Sequence, residues 1–285
     1  MELLEKYKAE LRRLGYSEST IKVYPESFKQ FLEYFNGRNY RYISYEDIIK
    51  FLTYLVDEKN IGGSTQNTMI NAIKFYYEIM SHQPRKTYNI NRPRKKPQEI
   101  ILLEDDEIEK LFSACLSSNG DKKLKHYCII GFLYGCGLRI NEVTNLKITN
   151  INSKRMLVFI YEAKGNKCRS VPLPEKLLPK LREYYKKENP KEYLFNGESK
   201  NTLKYSASSV RQFLKKYAKI AGLEKRINPH LLRHNFTTEH IENKTNILQL
   251  QKMLGHNSPK TTAKYNHFRR DAYKDVESPL DKKKY

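Results

Sequence analysis

Residues 156–174, MLVFIYEAKGNKCRSVPLP, are the one stretch of this chain with the composition of paired strands. β-Branched and aromatic residues flank a Lys-Gly-Asn-Lys turn, which predicts two short antiparallel strands. A 285-residue chain with a single hairpin cannot build a sandwich, a barrel or a doubly wound sheet. The other periodic segments repeat at helical spacing. The expected fold class is therefore mainly α with a small β-sheet.

Residues 1–83 read as four helices joined by short turns. ELLEKYKAELRRLG stops at Gly15, and SESTIKVYPESFKQFLEYFNG ends at Gly37, with Pro25 expected near a start or a kink. SYEDIIKFLTYLVDEK opens on Ser44 with Asp47 three residues on, a capping-box pattern. GGSTQNTMINAIKFYYEIM starts after two glycines. Residues 84–97, PRKTYNINRPRKKP, then carry six basic residues, three prolines and no acid. That composition excludes a regular helix and suits an extended basic linker, over 84–99, lying along a phosphate backbone; a solvated tether is the alternative.

A second domain, 100–285, follows. LLEDDEIEKLFSACL sets four acids at a helix N-terminus, where the macrodipole favours them. KHYCIIGFLYGCGLRINEVTNLKI predicts a buried helix broken near Gly135 and Gly137, then another. After the hairpin, helices resume at EKLLPKLREYYKKE, SASSVRQFLKKYAKIAGL, INPHLLRHNFTTEH and NILQLQKMLGH, and SPKTTAKYNHF closes the domain.

Charge narrows the function. Lys and Arg number 53 against 32 Asp and Glu, a formal net charge of +21, which points to a polyanionic partner. No stretch approaches the roughly 18 apolar residues of a membrane span. MELLEKYKAELRR lacks the apolar core of a signal peptide, so no membrane and a cytoplasmic location are expected. Cys115, Cys128, Cys136 and Cys168 form no C-x-x-C pair, and reduced, partly buried thiols are expected.

The segment INPHLLRHNFTTEH puts His230, Arg233 and His234 within one helical turn. A metal reading has the His230–His234 spacing in its favour, with His240 and His256 downstream. However, Leu231 stands where H-E-x-x-H needs Glu, and Arg233 would oppose a bound cation. A core reading suits His234 but leaves Arg233 unexplained. The remaining reading aims His230 and Arg233, at i and i+3, at a phosphate, with Arg as a bidentate donor and His as a donor or proton shuttle. Partners follow the same logic. GCGLRINEV offers Arg139, with Glu142 three residues on to orient it. Lys164 occupies the hairpin tip, with Lys167 nearby. MLGHNSPKTTAKY offers His256, a Ser258–Pro259 start for a helix, and Tyr265.

In order, GLRxxE, a KGNK hairpin, HxLRH, and LGH with a Tyr nine residues on closely resemble the tyrosine recombinases, or phage-integrase-type site-specific recombinases. The resemblance covers roughly residues 100–270, and the two-domain layout is similar to the compact Xer-like architecture. It implies an N-terminal four-helix SAM-like core-binding domain at 1–83 and a tyrosine-recombinase catalytic domain with a C-terminal tail at 100–285. The implied catalytic set is Arg139, Lys164, His230, Arg233, His256 and the nucleophile Tyr265. The implied activity is cleavage and rejoining of double-stranded DNA recombination sites through a covalent 3′-phosphotyrosyl intermediate. It needs no metal, ATP or other cofactor. A tetrameric synaptic complex on DNA, a tail that docks on a neighbouring subunit, and possible accessory proteins are implied as well. A type IB topoisomerase-like relaxation activity, a non-catalytic DNA-binding protein on the same fold, and a zinc-dependent hydrolase are the competing readings. Between chromosome-dimer resolution and mobile-element integration the sequence leans to the mobile element.

Overall fold

Serine caps and apolar spacing turn the N-terminal segment of the computed structural model into four helices; residues 2–87, 89–94, 101–161, 168–197 and 204–255 are described. These are α1 (Glu2–Arg13), α2 (Glu18–Tyr34), α3 (Tyr45–Asp57) and α4 (Gly63–Lys74). Ser17 accepts from the Thr20 amide at the start of α2, and Ser44 and Asp47 form the reciprocal capping box of α3. Pro25 lies inside α2, buried, where its ring nitrogen cannot donate to the Ile21 carbonyl. Beyond α4 the helix widens into a π-turn, Phe75–Met80, that the sequence pattern did not announce. The wider turn brings three consecutive aromatics, Phe75, Tyr76 and Tyr77, into the core. Phe28 stacks on Tyr7 and Tyr76 at centroid separations of 5.2 and 4.6 Å. The buried hydroxyls find acceptors: Tyr7 donates to the Ala72 carbonyl and Tyr77 to that of Tyr40, both at 2.7 Å.

The chain divides into two units, Met1–Gln98 and Glu99–Tyr285, each with its own apolar core. The start of the basic segment packs within the first unit. Thr87 and Ile90 are buried, and Arg92 forks onto Asn67 and Asn71 at 2.9 and 2.8 Å. Part of this segment's charge is thus already engaged by protein acceptors.

The second unit holds α5 (Asp105–Ser117), α6 (Lys123–Gly135), α7 (Ile140–Thr144), α8 (Leu177–Glu188), α9 (Ala207–Ile220), α10 (Pro229–Glu242) and α11 (Ile247–Leu254). Nearly every residue of α6 from Leu124 to Leu133 is buried, so this helix forms the centre of the core rather than a surface layer. Gly131 and Gly135 admit Leu177 and Pro174 against its backbone. A three-stranded antiparallel sheet, β1 (Ile151–Asn152), β2 (Leu157–Tyr161) and β3 (Cys168–Pro172), runs in the order β1-β2-β3. Val158 faces Val171, and Ile160 faces Arg169. Strand β1 was not expected, because two residues are too few to show alternation. The Lys-Gly-Asn-Lys turn lies outside the described residues. Cys115, Cys128 and Cys136 are free and buried, and burial pushes the Cys115 thiol up to about 12. Cys168 is also free, but exposed. Among the described residues no helix is long and apolar enough to cross a membrane.

Candidate active site

Asn228 accepts from the amides of His230 and Leu231, and Pro229 follows at the first helical position, so α10 starts rigidly. This start places His230 one residue into the helix and Arg233 one turn further along the same face. Arg139 caps α7: its backbone amide donates to Glu142 at 2.7 Å, and its Nη1 donates to the same carboxylate at 2.9 Å. The turn before it depends on Gly137, whose φ of +62° suits glycine.

These two segments and β3 meet at the C-terminal end of α11. A helix end presents carbonyls that its own turns do not satisfy, and here three guanidiniums donate to them. Arg169 Nε donates to Met253 O at 2.8 Å, Arg233 Nη2 to Leu254 O at 2.7 Å, and Arg139 Nη2 to Gly255 O at 3.1 Å. Arg233 Nη1 also donates to Gly137 O at 2.7 Å. Glu142 is the shared counter-charge, 2.7 Å from Arg169 Nη2 and 3.8 Å from Arg233 Nη1. Burial pushes its carboxyl up, but the hydrogen bond and charge of Arg169, and then those of Arg139, outweigh burial and hold it below the usual carboxylate range. Arg233 is deep in the site, its side chain 8% exposed, whereas Arg139 is 37% exposed and reaches solvent. Among the described residues, three guanidiniums face this one carboxylate, and that of Arg139 is accessible from the surface. Such a pocket attracts an oxyanion with two acceptors to present.

His230 sits at the exposed edge of this pocket. Partial desolvation, then the charges of Arg233, Arg139 and Arg211, lower its pKa from the ordinary histidine value. The shift favours the neutral imidazole, the form able to accept a proton. A 15N-edited NMR titration of the DNA-free protein is expected to place its midpoint below that of a histidine in an unstructured peptide. His234 is half-buried, with its pKa lowered by desolvation first and then by His230 and Arg233. Among the described residues no cluster of three His, Cys, Asp or Glu could hold a metal ion.

Gly137 offers a test of how tightly the turn is built. A Cβ there would collide with the Phe236 ring, and a non-glycine residue at this φ is strained. Gly137→Ala is expected to cost about 2–4 kcal/mol of unfolding free energy in urea, from overpacking and backbone strain together.

Of the residues expected from sequence, Arg139, Arg233 and His230 are therefore brought together, with Glu142 as their organiser. Lys164, His256 and Tyr265 lie outside the described residues. Arg169 was missed. Its signal was present in the strand pattern: in β3 it lies two residues before the buried Val171, and so on the same face of the sheet. An arginine on an inward face needs a carboxylate.

The sequence pattern that defines the phage integrase family matches residues 102–271, and that of the N-terminal SAM-like domain of phage integrases matches residues 3–86. The chain belongs to the phage integrase family. A tyrosine recombinase from Thermosipho africanus is 33% identical over 277 residues, covering 94% of each chain. Tyrosine recombinase XerA from Pyrococcus furiosus is 31% identical over 268 residues, covering 93% of this chain and 88% of its own. Among solved structures, XerA recombinase aligns over 100% of this chain and 99% of its own with 27% identity and a TM-score of 0.55. The XerH site-specific recombinase bound to a palindromic difH substrate in a post-cleavage complex covers 98% of this chain and 84% of its own. It shows the same fold with a TM-score of 0.76 at 21% identity. Within its family this chain is a Xer-like tyrosine site-specific recombinase.

Proposed function

We propose that this recombinase cleaves and rejoins double-stranded DNA through a covalent 3′-phosphotyrosyl intermediate, with Arg139, Lys164, His230, Arg233, His256 and Tyr265 as its catalytic set. The observation that supports this most is the meeting of Arg139 and Arg233, from separate elements, around the partly buried Glu142 at the end of α11. Non-bridging oxygens of a phosphodiester gain negative charge during attack. Two preorganised guanidiniums, with a donor from His256, stabilise that charge without a metal. The Tyr265 phenol, with an ordinary pKa near 10, needs a base. His230, whose lowered pKa favours the neutral imidazole, takes its proton as the phenolic oxygen bonds to phosphorus. The P–O5′ bond breaks, the leaving oxygen takes a proton from Lys164, and a free 5′-hydroxyl remains. Attack by a 5′-hydroxyl on the phosphotyrosine reverses these steps, so joining needs no nucleotide cofactor.

In this reading residues 1–83 form the core-binding domain, 84–99 the basic linker and 100–285 the catalytic domain with its tail. The net charge of +21 supplies phosphate contacts. The DNA-bound XerH structures, of pre-cleavage and post-cleavage complexes with difH substrates, support recombination sites as the partner. Exchange between two sites requires a tetramer assembled on DNA, open to accessory proteins, and a cytoplasmic location gives access to that DNA.

A nicked suicide substrate tests the proposal. In EDTA the full-length protein is expected to accumulate a protease-sensitive adduct on the 3′ end at the break, and peptide mapping should find the DNA on Tyr265. Cleavage that leaves free ends on both sides would contradict it. Plasmid relaxation without any pairing of sites would favour the topoisomerase reading instead.

A further inference from the structure

Arg169 has no part in the chemistry above, yet it is nearly as enclosed as Arg233. Its side chain is 10% exposed. It sits on β3, donates from Nε to Met253 O and from Nη2 to Glu142, and packs close beside Gly255. A Cβ added at Gly255 would sit 3.1 Å from the Arg169 Cζ and Nη1. Three separate elements, β3, the α7 turn and the end of α11, are therefore tied through one planar group that donates from two different nitrogens. A lysine has a single nitrogen and cannot reproduce that fork.

The positions of these anchors along the chain give them a further meaning. Arg169 follows Lys164 by five residues, and Gly255 directly precedes His256. The guanidinium thus fastens the chain beside two of the residues assigned to catalysis. It also competes for Glu142. A partly buried carboxylate left without Arg169 would turn its full charge on Arg139 and on Arg233, 3.8 Å away, and draw both from the oxyanion they are to meet.

We propose that Arg169 is a positioning residue of the phosphate pocket, which locks the end of α11 and Glu142 to β3 and thereby keeps the Arg139 guanidinium free to hold phosphate. The inference rests on the recombinase reading of this pocket. It requires Arg169 to act through Glu142, so the two residues must not contribute independently.

The test uses the full chain and the variants Arg169→Ala, Arg169→Lys, Glu142→Gln and the Arg169→Ala/Glu142→Gln pair. Single-turnover adduct formation is measured on the nicked substrate at saturating protein, alongside DNA affinity. Arg169→Ala is expected to slow cleavage by about 100-fold, the scale of a misplaced reacting group, while affinity stays within the range of a neutral surface change. Arg169→Lys, which keeps charge and bulk and guards against a folding defect, should remain at least about 10-fold slow. The double variant should be no slower than the slower single one. Parental rates in Arg169→Lys, effects that multiply in the double variant, or a loss confined to affinity would each overturn the proposal. Hydrogen exchange on the DNA-free protein supplies a readout independent of cleavage. In Arg169→Ala the amides at the end of α11 should exchange faster while those of α6 do not. Unchanged exchange there would overturn the clamp. An absence of adduct in the parent chain would instead sink the recombinase reading and leave the exchange result to judge Arg169.

Discussion

Tyr265→Phe is expected to abolish covalent attachment to DNA, lowering single-turnover cleavage by more than about 10⁴-fold, as removal of a covalent nucleophile does in other enzymes. The substitution deletes one oxygen and keeps the ring, so folding and DNA affinity should match those of the parent chain. The chain contains 22 tyrosines, and residue type alone does not favour this one. Its place after LGHNSPKTTAK does. Tyr273 and Tyr285 are the controls: changing either to Phe should leave the adduct intact. Residual adduct at the parental level in Tyr265→Phe would move the nucleophile elsewhere.

The second large effect is expected at Arg233. Replacing it with Ala removes a preorganised donor from the transition state, and loss of one such donor lowers rates by about 10²–10³-fold in comparable oxyanion sites. The truncation also strips donors from Gly137 O and Leu254 O, both in the protein interior, so stability should fall as well. Arg233→Lys separates the two losses. It keeps the positive charge but supplies a single nitrogen where two carbonyls and a carboxylate now share a fork. Cleavage by Arg233→Lys at saturating DNA should therefore stay well below the parental rate even where the variant folds normally. A Lys variant with parental cleavage would show that charge alone suffices and that the fork is irrelevant.

The sequence disclosed those features whose signal is local. Ser44 and Asp47, three residues apart, are a helix start written within one turn, and it forms as such. The closeness of Arg139 to Glu142 was legible because three residues span one helical turn. The acceptors of the site were not legible, because the carbonyls of Met253, Leu254 and Gly255 belong to the backbone, and no side-chain type marks a helix end as a partner for arginine. The role of Arg169 was hidden for a related reason: its partners lie 27 and 84 residues away in sequence. The π-turn at Phe75–Met80 reads as ordinary helix in a 3.6-residue pattern, and only the burial of three successive aromatics distinguishes it. Strand β1 depends on its pairing with Leu157 and Val158, not on its own two residues.

A site of this kind separates electrostatics from nucleophilicity. The guanidiniums act on the charge of the phosphate, whereas Tyr265 acts on phosphorus whatever that charge. Changing the substrate therefore isolates the arginines without disturbing the protein. A methylphosphonate at the scissile position replaces one charged non-bridging oxygen with a neutral methyl group. The account predicts that the deficit of Arg233→Ala, measured as adduct formation relative to the parent chain, shrinks at least about 10-fold on that substrate, because the donor no longer has a full charge to meet. An equal deficit on phosphate and methylphosphonate would mean that Arg233 only supports the fold, and would contradict the cationic pocket.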